Sequence, residues 1–72
     1  MVIETFGKVL RELRDGNNIS QEKLAELAGY DRTYISLLER GLRQPTITTI
    51  LDLSKALNIS PSSFIKTVED LT

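Results

Sequence analysis

The sequence predicts an all-α protein, a compact bundle of five helices in a single domain spanning residues 1–72. Three observations predict it. Apolar residues recur at the i, i+3, i+4 spacing that gives a helix one buried stripe. Runs of Gly, Asn, Asp and Pro interrupt this periodicity at Asp15–Asn18, Gly29–Asp31, Gly41–Pro45 and Asn58–Pro61. No internal repeat, low-complexity stretch or linker divides the chain.

Helix 1 runs from about Glu4 to Asp15, with Phe6, Val9, Leu10 and Leu13 on one face and Lys8, Arg11, Glu12 and Arg14 on the other. Helix 2 covers about Gln21 to Ala28. Ser20 is a good N-cap for it, but Lys23 stands where Glu or Gln would complete a reciprocal capping box. Leu24, Leu27 and Ala28 form its inward stripe. Gly29 follows directly and accepts the left-handed dihedrals of a helix end without a Cβ penalty. Tyr30 and Asp31 make the turn, and Asp31 is placed to cap helix 3, about Arg32 to Arg40, which buries Ile35 and Leu38. Gly41 ends that helix. Pro45 forces an extended bend, Thr46 caps helix 4 from about Ile47 to Leu57, and Ile47, Ile50, Leu53 and Leu57 point inward with Ala56 packed closely. Ser60 as N-cap and Pro61 at the first helical position start a short helix 5. Leu51, Phe64, Ile65 and Val68 amount to more apolar surface than one small core needs. Part of it is assigned to a dimer interface and the rest to core packing.

Composition narrows the function. A domain of 72 residues buries only about 60% of its unfolded surface, so its stability is marginal without help. With no cysteine and no histidine, disulfides and a Cys- or His-based metal site are excluded and no cofactor is implied. Oligomerisation remains as a source of stability. No apolar run approaches the roughly 18 residues of a membrane span, and MVIETFGKVL lacks the order of a signal peptide, so a soluble cytoplasmic protein without membrane partners is expected. Nine Lys and Arg oppose ten Asp and Glu, for a formal charge of -1. Nucleic-acid modules are usually basic. The distribution matters more: Arg32, Arg40 and Arg43 cluster around helix 3, while Glu4, Asp52, Glu69 and Asp70 lie elsewhere. Glu22 and Glu26 form an i, i+4 carboxylate pair, but without a histidine or metal ligands they read as a solvated helix face, and no enzyme is expected.

The segment Gln21–Leu42, QEKLAELAGYDRTYISLLERGL, holds Ala25, Gly29, Ile35 and Leu38 at offsets 4, 8, 14 and 17 from Gln21. That is the layout of a helix-turn-helix, whose small Ala25 lets two helices cross closely and whose second helix is polar at its start. The segment resembles the Cro/lambda-repressor-like (XRE) family, over roughly residues 6 to 65. The run DRTYIS followed by LERG is most similar to the controller proteins of restriction-modification systems. The resemblance implies a lambda-repressor-like domain, a regulator bound to its own promoter that activates at low dose and represses at high dose, and a glutamine at Gln21 that holds the DNA backbone and braces the reading helix. By analogy, Glu22 or Glu26 would face RNA polymerase.

A helix in the major groove presents its early side chains to base edges while flanking donors hold phosphates. Arg32, Thr33, Tyr34 and Ser36 are the outward early positions of helix 3, and Arg43 lies in the loop just after it. Arg32 and Arg43 are the expected principal base readers, Arg32 through a bidentate pair with guanine worth about 1 to 3 kcal/mol of discrimination. Gln21, at a helix N-terminus, together with Arg40, Thr46 and Thr48, is assigned to phosphate; Arg11 and Arg14 are further candidates. Glu39 is read as structural, pairing with an Arg of its own helix or holding the following loop. The expected partner is double-stranded DNA, a palindromic operator bound by a homodimer. A phage Cro or repressor, an antitoxin, or an interaction module that keeps the fold and binds protein through its acidic surface are the alternatives.

Overall fold

Five helices and no strand make up the computed structural model, which describes all 72 residues: α1 (Val2–Gly16), α2 (Gln21–Ala28), α3 (Arg32–Glu39), α4 (Ile47–Ala56) and α5 (Pro61–Leu71). Their starts follow from local chemistry. Ser20 accepts a hydrogen bond from the Lys23 N–H at 3.0 Å, Thr46 from Thr49 at 3.1 Å and Ser60 from Ser63 at 3.1 Å. Each cap satisfies one of the donors a helix start leaves orphaned, worth about 1 kcal/mol. Asp31 corrects an expectation: it occupies the N-cap position of α3 but makes no side-chain capping bond, and its carboxylate is exposed to solvent. Helix α1 begins two residues before the expected Glu4, where the Thr5 hydroxyl donates to the Met1 carbonyl at 3.0 Å and closes the first turn.

All five helices feed one core. Phe6 of α1 and Phe64 of α5 stack with ring centroids 5.0 Å apart and planes inclined by 2°. Leu10, Leu24, Ile35, Leu38 and Leu53 surround them with no exposed surface. Phe64 and Val68 are therefore core residues, not an interface between copies; of the four residues considered for that role only Leu51 and Ile65 remain exposed. Two more apolar residues were expected inside and lie outside. Leu27 is 51% exposed because the buried stripe of α2 is centred on Leu24 and Ala25, where the close crossing with α3 demands a small side chain. Ile47 is 69% exposed, and Thr49 takes the inward place on α4. A threonine is tolerated there, as is buried Ser54, because both hydroxyls find partners: Ser54 donates to the Ile50 carbonyl at 2.7 Å, and no buried side-chain N or O is left unpaired.

Two features of the chain's connections were not visible as periodicity. Gly7, in the middle of α1, lies against the last carbonyls of α3: a Cβ built there would collide with the Leu38 oxygen and sit 2.7 Å from the Glu39 oxygen. Only glycine lets these two helices approach so closely. The tripeptide Asn-Ile-Ser occurs at 18–20 and again at 58–60, and it makes the same corner twice. Asn18 and Asn58 adopt left-handed φ of 58° and 56° and donate to the Asp15 and Lys55 carbonyls at 3.0 and 3.1 Å. Ile19 and Ile59 then pack on the core, and Ser20 and Ser60 cap the next helix.

Candidate nucleic-acid interface

The turn between α2 and α3 is set by Gly29, at φ 82°, whose N–H donates to the Ala25 carbonyl at 2.9 Å; the Tyr30 N–H reaches the same oxygen at 2.8 Å. Both lone pairs of the Ala25 carbonyl are thereby used. Ile35 and Leu38 anchor α3 into the core. This leaves Arg32 and Thr33 exposed at its start, with Tyr34 and Ser36 half-buried beside them.

The far end of α3 is braced by ion pairing. The Arg14 guanidinium donates through Nε to Glu39 Oε2 at 2.6 Å and through Nη2 to Oε1 at 3.1 Å, while Nη1 donates to the Ile19 carbonyl at 2.9 Å. The side chains of Arg14 and Glu39 are 12% and 4% exposed. The bond to Glu39 holds the Arg14 guanidinium above its usual range. Gln21 Nε2 joins at 3.0 Å from Glu39 Oε1. Glu39 is structural, as expected, but its cation comes from α1 and not from α3. Arg14, expected on a solvent-facing surface as a possible phosphate ligand, is withdrawn into this pair, because a buried carboxylate demands a charge-assisted partner.

A cluster of hydroxyls ties the start of α3 to α4. The Tyr30 hydroxyl donates to Asp52 Oδ2 at 2.6 Å and lies 3.3 Å from Thr49 Oγ1. The Tyr34 hydroxyl is also 3.3 Å from Thr49 Oγ1, and the Thr46 hydroxyl is 3.0 Å from it. The two rings pack with centroids 5.3 Å apart. Asp52, by accepting that short bond, pushes the Tyr30 phenol above its ordinary value, against a weaker downward pull from Thr49. Thr49 was not singled out from the sequence, and Asp52 was read only as an acidic charge away from helix 3, whereas its bond to Tyr30 brings it beside the start of that helix. Tyr30 and Tyr34 stand at i, i+4 and Thr49 and Asp52 at i, i+3, but nothing local links the two pairs.

The five arginines divide cleanly. Arg11 and Arg14 are in ion pairs; Arg32, Arg40 and Arg43 are in none. Arg40 makes one long bond, from Nε to the Ser36 carbonyl at 3.4 Å, and the guanidinium groups of Arg32 and Arg43 make no hydrogen bond. Thr33 and Thr48 are exposed with free hydroxyls, whereas Thr46 is engaged in capping α4. The acidic molecule thus keeps three uncommitted cations on and just after one short helix. Outside this face, an open apolar groove of about 580 Å³ runs between the start of α1, the loop before α4, and α5, lined by Val2, Phe6, Pro45, Ile50 and Ile65 among others. No helix is long and apolar enough to cross a membrane.

Two short helices locked across a left-handed glycine, the second offering arginine and hydroxyl groups at its start, define a DNA-binding domain of the helix-turn-helix class. Residues 10–64 match the family described as Helix-turn-helix, and the chain belongs to that family in its Cro/lambda-repressor-like (XRE) form, together with restriction-modification controller proteins. It is 47% identical over 57 residues to control protein C.SmaI of Serratia marcescens, a match covering 79% of this chain and 68% of that one. Among solved structures it is similar to the controller protein C.AhdI of Aeromonas hydrophila, with a TM-score of 0.84 and 45% identity over 86% of this chain and 94% of that one. It is also similar to the controller protein C.Esp1396I, whose tetramer has been solved in complex with its natural 35 base-pair operator, with a TM-score of 0.89 and 30% identity over 97% and 92% of the two chains.

Proposed function

We propose that this protein is a homodimeric, sequence-specific transcriptional regulator of the controller type, which binds a palindromic operator in its own promoter. The observation that carries the reading is the set of uncommitted side chains on one helix start: Arg32 and Thr33, with Arg43 in the following loop, are exposed and bonded to nothing in a molecule whose other arginines are paired. Arginine at such a position makes the bidentate contact to guanine that the major groove rewards most. Ser36 adds a hydroxyl on the same helix. Gln21 uses one amide hydrogen on Glu39 and keeps the second for phosphate, so bracing and backbone contact are compatible in one side chain. Arg40, Thr46 and Thr48 are assigned further phosphate contacts; the Thr46 oxygen accepts the Thr49 N–H as the cap of α4, which leaves its hydroxyl proton as a donor.

The dimer reading rests on exposed apolar surface. Ile47 and Leu51, one turn apart on α4, are 69% and 49% exposed, and Ile65 on α5 is 42% exposed beside the apolar groove. In the proposed dimer a second copy covers this surface, and the two α3 helices enter successive major grooves about 34 Å apart, the spacing that dimers of this class use. The protein acts in the cytoplasm, without enzymatic activity, through operator occupancy. The operator complex of C.Esp1396I supports the DNA partner, and identity to C.SmaI and C.AhdI supports the controller role. RNA polymerase is a further partner in this reading, met through exposed Glu22 and Glu26.

Selection of bound duplexes from a random pool tests it. Enrichment of a palindrome with two half-sites about one helical turn apart is the expected result. Failure to enrich any symmetric sequence at low salt, where phosphate contacts are strongest, overturns the reading.

A further inference from the structure

Helices α3 and α4, the two elements that carry the side chains assigned to bases and to phosphates, hardly touch each other. Helix α3 packs on α1 and α2, and α4 packs on α2 and α5, but α3 and α4 share almost no direct packing. The chain between them is the irregular segment 40–46. The Tyr34 hydroxyl lies 3.3 Å from Thr49 Oγ1, and this is the one hydrogen bond between side chains that joins the two helices. It forms with either oxygen as the donor, so it ties α3 to α4 whichever way the proton lies. The Tyr30 hydroxyl, which donates to Thr49 at 3.3 Å and to Asp52 at 2.6 Å, holds the turn before α3 to the same helix. The contact falls where both DNA-facing starts meet. Tyr34 follows exposed Arg32 and Thr33, and Thr49, itself 3% exposed, follows exposed Thr46 and Thr48. Ser54 is the contrast within α4: its equally buried hydroxyl donates to the Ile50 carbonyl of its own helix at 2.7 Å and joins no other element.

We infer that Thr49 is a positioning residue for DNA reading: through Tyr34 it sets the spacing between the base-reading side chains at the start of α3 and the phosphate donors at the start of α4, and being buried it touches no DNA itself. This rests on the DNA-reading assignment of α3. Phosphate contacts fix the register in which a protein meets the duplex, and base contacts are made only within that register. A change in the spacing of α3 against α4 therefore weakens the base contacts of α3 together and not one at a time. The size of the effect is bounded, because a contact biases an arrangement by no more than its own net free energy. For one neutral hydrogen bond that is a factor of about five.

Competition binding on the full chain tests the inference, using the duplex enriched by the wild type, variants of it with one base pair changed in each half-site, and random duplex. Thr49→Val keeps the shape and removes the hydroxyl. Its preference for the selected over the random duplex is expected to fall about fivefold, with the loss spread over the base pairs that α3 reads. Thr49→Ser restores the preference. On a Tyr34→Phe background, where the contact is already gone, Thr49→Val is expected to add no further loss. Ser54→Ala is the matched control: it removes a buried hydroxyl from the same helix, and its preference is expected to equal that of the wild type. If Thr49→Val fails to fold, Tyr34→Phe, at a half-buried ring, carries the test, and a loss spread over several base pairs is expected. Wild-type preference in the folded Thr49→Val variant overturns the inference. So does an equal loss in Ser54→Ala, which marks a general weakening of the fold, and so does a Tyr34→Phe loss confined to one base pair. A wild type that enriches no duplex refutes the DNA-reading assignment itself, a result distinct from all of these.

Discussion

Arg14 and Arg32 are the same side chain on two helices of one small bundle, and their surroundings send them to opposite tasks. Arg14 is 12% exposed, forked onto a carboxylate that is itself 4% exposed, and bonded to the Ile19 carbonyl as well. Arg32 is exposed and bonded to nothing. A guanidinium held by a buried carboxylate fixes the distance between α1 and the end of α3; one left in solvent at the start of α3 has its five donors available to a partner. The difference shows why net charge was a poor guide in this chain. An acidic total conceals that four of the six Lys and Arg away from α3 and the loop after it are paired, while Arg32, Arg40 and Arg43 are in no ion pair.

The largest expected effect comes from breaking the buried side of this contrast. Glu39→Ala strands the Arg14 guanidinium and is expected to lower stability by about 3 kcal/mol, read as a shift in the denaturation midpoint at constant slope. Replacing both partners at once, Arg14→Met with Glu39→Leu, is expected to recover most of that loss, because the desolvation of two charges disappears together. Next in size is Gly7→Ala. The new methyl collides with backbone oxygens of α3, so a loss of about 2 kcal/mol is expected in thermal unfolding despite the gain in helix propensity. Gly16→Ala is the matched control: a Cβ there meets nothing within 4 Å, and a gain of about 0.5 kcal/mol is expected.

Devices that act within a few residues are written plainly in the chain, and contacts between distant residues are not. Ser20, Thr46, Ser60 and Pro61 declare their helix starts because capping acts over three residues, and Gly29 declares the turn because its left-handed φ is a local requirement. The five helices were therefore legible to within two or three residues at each end. Leu27 and Ile47 were misplaced because periodicity offers several apolar stripes and only the partner helix selects one. Phe64 and Val68 were read as spare surface because burial is decided by Phe6, most of the chain away. The contacts from Arg14 to Glu39 and from Tyr30 to Asp52 span 25 and 22 residues and leave no mark in local spacing. In the candidate site, the exposure of Arg32, Thr33 and Arg43 was legible because nothing in the fold claims them; the contact of the Tyr34 hydroxyl with Thr49, 15 residues away, was not.

Smaller effects follow at the surface and at high pH. Asp52 raises the Tyr30 phenol above its ordinary value near 10.0, so the folded state holds that proton more tightly than the unfolded chain does. Its contribution to stability is fully present below pH 10 and is lost as pH rises through the folded-state value. The melting temperature of the wild type is expected to fall more steeply above pH 10 than that of Tyr30→Phe. Arg11→Ala removes a 4.0 Å pair between side chains that are 69% and 62% exposed, and a change within about 0.5 kcal/mol is expected.

The direct test of the division between structural and reading arginines is to measure, on a single Arg32→Ala preparation, both thermal unfolding and binding to the duplex that the wild type selects. An unchanged melting temperature is predicted, with affinity for that duplex reduced at least tenfold and affinity for random duplex reduced far less. Wild-type affinity for the selected duplex in the folded variant would contradict the account.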